Sequence, residues 1–180
     1  SGEDPYQRNE FLRDSQTQLD RINWIVQALL TLTRFDSELV DLRPNKYAMA
    51  ELVNETVKGF EGRLAAKRIT LSVTSSGDSQ STVDRESIVT ALSNIIDNAI
   101  KFSPSDSEIR LDTGSRDDGS VYVSLADAGS GIADEDLPHV FKRFYRAKSS
   151  DNPGSGLGLS LVQSIVRAHY GNVEIESGNG

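Results

Sequence analysis

A chain of 180 residues, 37% hydrophobic and 26% charged, has room for one well-buried domain plus an appended element, and its composition excludes a disordered polypeptide. A formal net charge of -8 excludes a general nucleic-acid binder, because phosphate-backbone binding needs a broad basic face, so any phosphate site has to be local. The absence of cysteine excludes disulfides and thiolate metal sites, and no apolar run approaches the ~20 residues of a membrane span.

From about Tyr6 to Leu39 the pattern is that of one long helix. Leu19, Ile22, Val26 and Leu29 alternate at four and three residues, and Ile25, Leu32 and Leu39 lie on an adjoining seven-residue line. So wide an apolar face cannot stand alone and is expected to pack in a helical hairpin or bundle, with Trp24 at the contact. Burial inside the main domain is the less favoured alternative, because a ~34-residue helix at ~1.5 Å per residue outreaches a domain of this size. Arg43-Pro44-Asn45 breaks the helix, which divides the chain into residues 1–45 and 46–180. Ala50 to Ala66 reads as a second helix, Ile69 to Thr74 as a half-buried strand, and Ser75 to Ser81 as a loop.

Asp84 is placed to cap a further helix that ends at Ser103-Pro104. Within it Asn94, Asn98 and Lys101 recur at i, i+4 and i+7 and share one side, while Leu92, Ile95, Ile96, Ala99 and Ile100 cover the rest. Two carboxamides and an ammonium suit an anionic, metal-bearing ligand, since a carboxamide oxygen ligates hard cations and the ammonium meets phosphate. Taken alone, the same pattern also describes an ordinary amphipathic helix with a solvated edge. Glu108 to Thr113 and Val121 to Ala126 read as strands joined through Asp117-Asp118-Gly119, a hairpin signal. After them come a short helix start at Asp134, a helix over Leu157 to Tyr170, and a last strand over Asn172 to Glu176.

Two glycine-bearing segments carry further chemistry. Asp127-Ala128-Gly129-Ser130-Gly131 follows a strand, where glycines let the backbone approach a flat ligand and the carboxylate accepts from an exocyclic amine; a plain turn is the alternative. Gly154-Ser155-Gly156-Leu157-Gly158 opens a helix, so its amides face whatever anion lies in front; a flexible loop explains it equally well. There is no P-loop, no HRD or DFG element, and no GxGxxG after a strand.

In order, the segments from Asn94 to Pro104, Asp127 to Ile132, Phe141 to Arg146 and Gly154 to Val162 resemble the ATP-binding catalytic domain of sensor histidine kinases, within the gyrase, Hsp90, histidine kinase and MutL superfamily. The long first helix resembles the second helix of that family's dimerisation and phosphotransfer hairpin. The resemblance implies an α+β fold: a two-layer α/β sandwich with a mixed sheet covered by helices, preceded by a long hairpin helix. It implies ATP and Mg²⁺ as cofactors. Asn98 would ligate Mg²⁺, Asn94 would brace the phosphates, Lys101 would contact phosphate and Phe102 would lie beside the nucleotide. Asp127 would accept from the adenine amino group, with Gly129 and Gly131 allowing close approach and Ile132 lining the base pocket. Arg146, with Arg143 and Lys148 as further candidates, would reach the γ-phosphate from a mobile lid over residues 147–155. Gly154, Gly156, Leu157 and Gly158 would wall the phosphate side. Phe141 and Phe144 are expected to anchor the lid in the core.

The implied function is transfer of the ATP γ-phosphoryl to a histidine in two-component signalling, with Asn94, Lys101 and Arg146 as catalytic residues. The implied partners are a response regulator receiver domain and, in the parent, a second copy; no nucleic acid is involved. The implied location is the cytoplasmic side of a membrane-bound parent, any membrane contact being made by other parts of it. The resemblance departs at the acceptor: neither His139 nor His169 stands in the family's phosphoacceptor context. The chain is therefore expected to be a piece of a larger sensor kinase. A nucleotide-regulated interaction module without phosphoryl transfer is the rival reading. A hydrolysing superfamily ATPase is disfavoured because Asn94 stands where those members place a water-activating glutamate.

Overall fold

The computed structural model describes residues 5–37, 41–147 and 154–178. Helix α1 (Pro5–Asp36) opens on a proline, tolerated in a first turn because its missing N–H has no helical partner there, and contains no glycine. The elements β1 (Asn45–Ala48), α2 (Met49–Lys58), α3 (Glu61–Lys67), β2 (Thr70–Ser76), β3 (Gln80–Val83), α4 (Arg85–Phe102), β4 (Glu108–Ser115) and β5 (Val121–Ala126) follow. A 3-10 turn at Leu137–His139 and helix α5 (Gly158–Ala168) complete the order.

The sheet has the order β2-β4-β5 and is mixed: β2 runs parallel to β4, Thr70 opposite Glu108, and β5 antiparallel to it, Leu111 opposite Leu125. Along β4 the side chains of Ile109, Leu111 and Thr113 are buried while Glu108 and Arg110 are exposed, the period-two pattern of a strand covered on one face. Helices α2 and α4 supply that cover, and Val53, Ile96 and Ile100 meet Ile109 and Leu111 in one core. The architecture is the two-layer α+β sandwich that the family resemblance implies. β1 and β3 form a separate antiparallel ladder, Asn45 opposite Val83.

Four expectations are corrected. The helix expected over Ala50 to Ala66 is two helices, because the chain breaks at Gly59 and Phe60. β3 lies partly in the stretch expected to be loop, and pairs with the equally unexpected β1. Residues 172–176 form no strand: a strand needs a partner ladder, and theirs finds none among the described residues, although Val173 still packs on the core. Phe144 is 59% exposed, not in the core, because its left-handed backbone (φ 61°) turns its amide toward Gly156 and its ring outward.

Helix α1 is not isolated from the sandwich. Ala28 and Leu32 are buried against α5, with Ile25, Leu29 and Phe35 partly buried beside them, and Asp36 pairs with Arg143. The stripe Leu19, Ile22, Val26 and Leu30 remains exposed on another face. No described helix is long and apolar enough to cross a membrane.

Candidate functional site

Helix α4 holds the site in position because both of its ends are tied. At its start the Asp84 carboxylate accepts from the Ser87 amide at 2.9 Å and from the Arg43 amide at 3.0 Å. Burial pushes the Asp84 carboxyl up, but these bonds and the nearby His169 outweigh it and hold the group below the usual carboxylate range. The Asp84 amide donates to His169 Nε2 at 3.0 Å, while His169 Nδ1 lies 2.8 Å from the Ile165 carbonyl, so this imidazole joins the end of α5 to the start of α4. At the far end Lys67 of α3 donates to the carbonyls of Ile100, Lys101 and Ser103 at 2.7, 3.1 and 3.0 Å. A cation there satisfies helix-end acceptors and complements the dipole. Sequence reasoning missed Lys67, whose partner lies more than thirty residues away.

Along α4, Asn94, Asn98, Lys101 and Phe102 open onto a cleft of about 820 Å³ between α4, the β5–α5 connection and α1. The Asn94 amide nitrogen donates to the Thr90 carbonyl at 2.8 Å, which leaves its oxygen turned toward α5. There a Cβ on Gly158 would lie 3.0 Å from Asn94 Oδ1, a tight approach that would displace this carboxamide, and 3.7 Å from Asn98 Nδ2, an ordinary contact. Lys101 Nζ sits 5.0 Å from the Phe102 ring centroid, and a Cβ on Gly154 would come within 2.5 Å of it. Desolvation pushes the Lys101 ammonium down; Asp97 opposes this, and Arg146 and Arg21 reinforce it. Positive charge is thus gathered at one end of the cleft in a chain that is acidic overall.

The loop after β5 makes the opposite wall. Asp127 Oδ1 accepts from the Gly129 amide at 2.7 Å in a turn the side chain builds for itself. The carboxylate is exposed. Gly131 (φ 74°) and Ile132 follow, and the Ile132 amide donates to Ser177 Oγ at 2.6 Å, so the irregular segment beyond α5 braces this loop. The stretch after the 3-10 turn contributes Val140, Tyr145 and Arg146. Tyr145 donates its hydroxyl to the buried Asp136 carboxylate, which raises the phenol pKa.

Asn94, Asn98, Lys101, Phe102, Asp127, Gly129, Gly131, Ile132, Arg146, Gly154, Gly156 and Gly158 therefore meet at one cleft, whereas the side chain of Leu157 is wholly buried in the core. Arg143 pairs with Asp36 and Phe141 is half-buried; neither lines the cleft. Lys148 and the lid positions 148–153 lie outside the described residues. His139 and His169 also lie away from the cleft. Thr17, Gln18, Arg21 and Trp24 of α1, together with Asp97 and Tyr145, line it without having been singled out as ligand contacts. No signal in the sequence ties α1 to residues more than a hundred positions later. Among the described residues no three carboxylates or imidazoles cluster as an all-protein metal cage. A single carboxamide oxygen, that of Asn98, near the Lys101 and Arg146 cations fits an ion that keeps most of its ligands as water and substrate phosphate, the habit of Mg²⁺.

The family model of histidine kinase-, DNA gyrase B- and HSP90-like ATPases matches residues 83–180, more than half of the chain and the part that holds α4, β5 and α5. The adaptive-response sensory kinase SasA of Synechococcus elongatus is 30% identical over 165 residues, covering 91% of this chain and 43% of its own length. The swarming motility regulation sensor protein RssA of Serratia marcescens is 28% identical over 160 residues, covering 89% of this chain and 34% of its own. The chain thus spans less than half the length of these relatives. The solved structure of the Acinetobacter baumannii histidine kinase AdeS has the same fold at a TM-score of 0.79 and 24% identity, covering 99% of this chain and 81% of that one. The matched segment carries most of the residues that line the cleft, and the chain belongs to the histidine kinase-, DNA gyrase B- and HSP90-like ATPase family, with sensor kinases among its relatives.

Proposed function

We propose that this chain binds Mg²⁺-ATP in the cleft between α4 and α5 and transfers its γ-phosphoryl to a histidine of the parent protein's hairpin. The observation that carries the reading is the convergence of Asn94, Asn98 and Lys101 with the Asp127 loop and the Gly154 to Gly158 helix start on one cleft. Asp127 and Ile132 take the base, with Gly129 and Gly131 admitting it closely. Phe102 flanks the nucleotide. Asn94, Lys101 and Arg146 orient and neutralise the polyphosphate, and Gly154, Gly156 and Gly158 leave it room, while Leu157 serves as the core anchor of that wall. Asn98 holds Mg²⁺ through its side-chain oxygen. The ion supplies charge neutralisation at the phosphates. The chain's own contribution is mainly positioning and electrostatics, with Asn94, Lys101 and Arg146 acting on the transferring group.

Helix α1, within the segment 1–45, acts as one helix of the dimerisation hairpin. Its exposed stripe of Leu19, Ile22, Val26 and Leu30 supports a helix partner in a homodimeric parent. A response regulator receiver domain is the downstream partner, supported by the fold neighbour ThkA (22% identity, TM-score 0.73), solved in complex with response regulator protein TrrA. The parent is membrane-bound, with this domain on the cytoplasmic side. The test is to follow radiolabel from γ-labelled ATP. The chain alone should acquire no acid-labile phosphohistidine, because His169 is bonded into the α4–α5 junction and His139 lies off the cleft. Rebuilding the native partner helix beside α1 should restore labelling, with an advantage over a free acceptor peptide reflecting the ~7–11 kcal/mol available from proximity. Tight ATP binding without labelling of the rebuilt hairpin would favour the rival reading, a nucleotide-regulated interaction module.

A further inference from the structure

Helix α1 does more than present a face to a partner. Thr17, Gln18, Arg21 and Trp24 stand at i, i+1, i+4 and i+7 and form one wall of the cleft. Their face runs on through Ile25, Ala28 and Leu32, the residues that seat α1 on α5 and the core. The same docking surface that buries Leu32 therefore carries Arg21 over the phosphate end. There Arg21 Nη2 donates to the Gly154 carbonyl at 3.4 Å, and Gly154 is the residue against which Lys101 Nζ lies. One glycine is thus held between a cation of α1 and a cation of α4, with Arg146 lining the same cleft. Arg146 and Arg21 both lie close enough to act on the Lys101 ammonium, whose lowering comes first from burial and is opposed by Asp97.

Resting on the nucleotide reading above, we propose that Arg21 is a further phosphate-contacting residue, supplied by the hairpin helix, which binds the polyphosphate while holding Gly154 ahead of α5. Nucleotide binding and the docking of α1 are then linked: each favours the other, because the anion is fully neutralised only when α1 is seated. The linkage gives the hairpin a direct hold on the catalytic domain's affinity for its nucleotide. Trp24, one helical turn away on the same face, reports on the seating.

The experiment uses the whole chain with Arg21→Gln and Arg21→Lys, titrated with Mg²⁺-ATP and with adenosine, following both heat and Trp24 emission. Arg21 is exposed, so solvent screening limits the effect: Arg21→Gln should weaken ATP about five- to tenfold while leaving adenosine unchanged. Arg21→Lys should recover part of the loss, and the difference should shrink in high salt. Trp24 emission should change on ATP addition to the parent chain and change less in Arg21→Gln. If Arg21→Gln binds ATP as the parent does, Arg21 touches no phosphate and the inference fails while the nucleotide reading stands. If Arg21→Gln binds ATP more tightly, α1 obstructs the cleft rather than completing it, which also overturns the inference. Failure of the parent chain itself to bind adenine nucleotides would remove both readings together.

Discussion

Gly156 is the position where the fold and the site are most tightly joined, and Gly156→Ala tests that junction. Its backbone is left-handed (φ 71°), which costs an alanine about 1–2 kcal/mol. A Cβ there would lie 2.6 Å from the Phe144 carbonyl carbon, 2.8 Å from Phe144 Cα and 2.7 Å from the Tyr145 carbonyl oxygen. Ordinary carbon contacts are ~3.5–4.0 Å, so one backbone segment has to withdraw by about 1 Å. The withdrawal strains the 2.9 Å bond from the Phe144 amide to the Gly156 carbonyl, worth about 1 kcal/mol. Because Leu157 next door is locked in the core, the movement falls on the Phe144 to Arg146 stretch that lines the cleft. The expected loss of stability is about 2–4 kcal/mol by urea denaturation, accompanied by weaker ATP binding in calorimetry. Gly154→Ala is the control: its Cβ meets only the mobile end of Lys101, so stability should stay within about 0.5 kcal/mol while ATP affinity falls. A Gly156→Ala chain with parental stability and affinity would refute the packing of Gly156 against the Phe144 and Tyr145 backbone.

Three further outcomes are expected. Lys67→Met removes the donor shared by three carbonyls at the end of α4, and should cost about 1–3 kcal/mol in urea denaturation; a loss below about 0.5 kcal/mol would mean that water replaces it without penalty. Asp127→Asn preserves the acceptor for the Gly129 amide but loses the carboxylate offered to an adenine amino group. It should weaken ATP by about 1 kcal/mol, the low end for a group already exposed, and narrow the preference over GTP measured by competition. The Lys101 ammonium, held below its ordinary pKa of 10.5, should return toward it when phosphate arrives. Because the bound form then holds the proton more tightly, affinity should fall as pH rises through the window between the lowered free pKa and the bound one. Proton uptake on binding there can be read from calorimetry in two buffers of different ionisation enthalpy. Affinity that rises with pH across that window would assign the phosphate contact to another group.

The extent of α4 was legible because each end is marked chemically: Asp84 caps the Ser87 amide and Ser103-Pro104 forbids continuation. β5 was legible for a similar reason, its hairpin turn set by Gly119 (φ 81°). β1 and β3 were not, since Asn-Lys-Tyr-Ala and Gln-Ser-Thr-Val are four residues long and largely polar, and only their pairing makes them strands. The strand expected over residues 172–176 failed on the same ground in reverse, alternation without a partner. The cleft's composition was readable because carboxamide, carboxylate and glycine positions announce their chemistry. Its fourth wall was not: the contact of Arg21 with Gly154 spans 133 residues, and nothing local to α1 distinguishes the face that meets α5 from the equally apolar face that stays exposed.

The proposed nucleotide site depends on Mg²⁺ held by Asn98 beside its neighbours in α4. Calorimetric titration of the parent chain and of Asn98→Ala with ATP, each with Mg²⁺ and with chelator, tests it most directly. Mg²⁺ should strengthen ATP binding to the unsubstituted chain, and Asn98→Ala should abolish most of that gain. Equal affinities for parent and variant, with or without the metal, would contradict it.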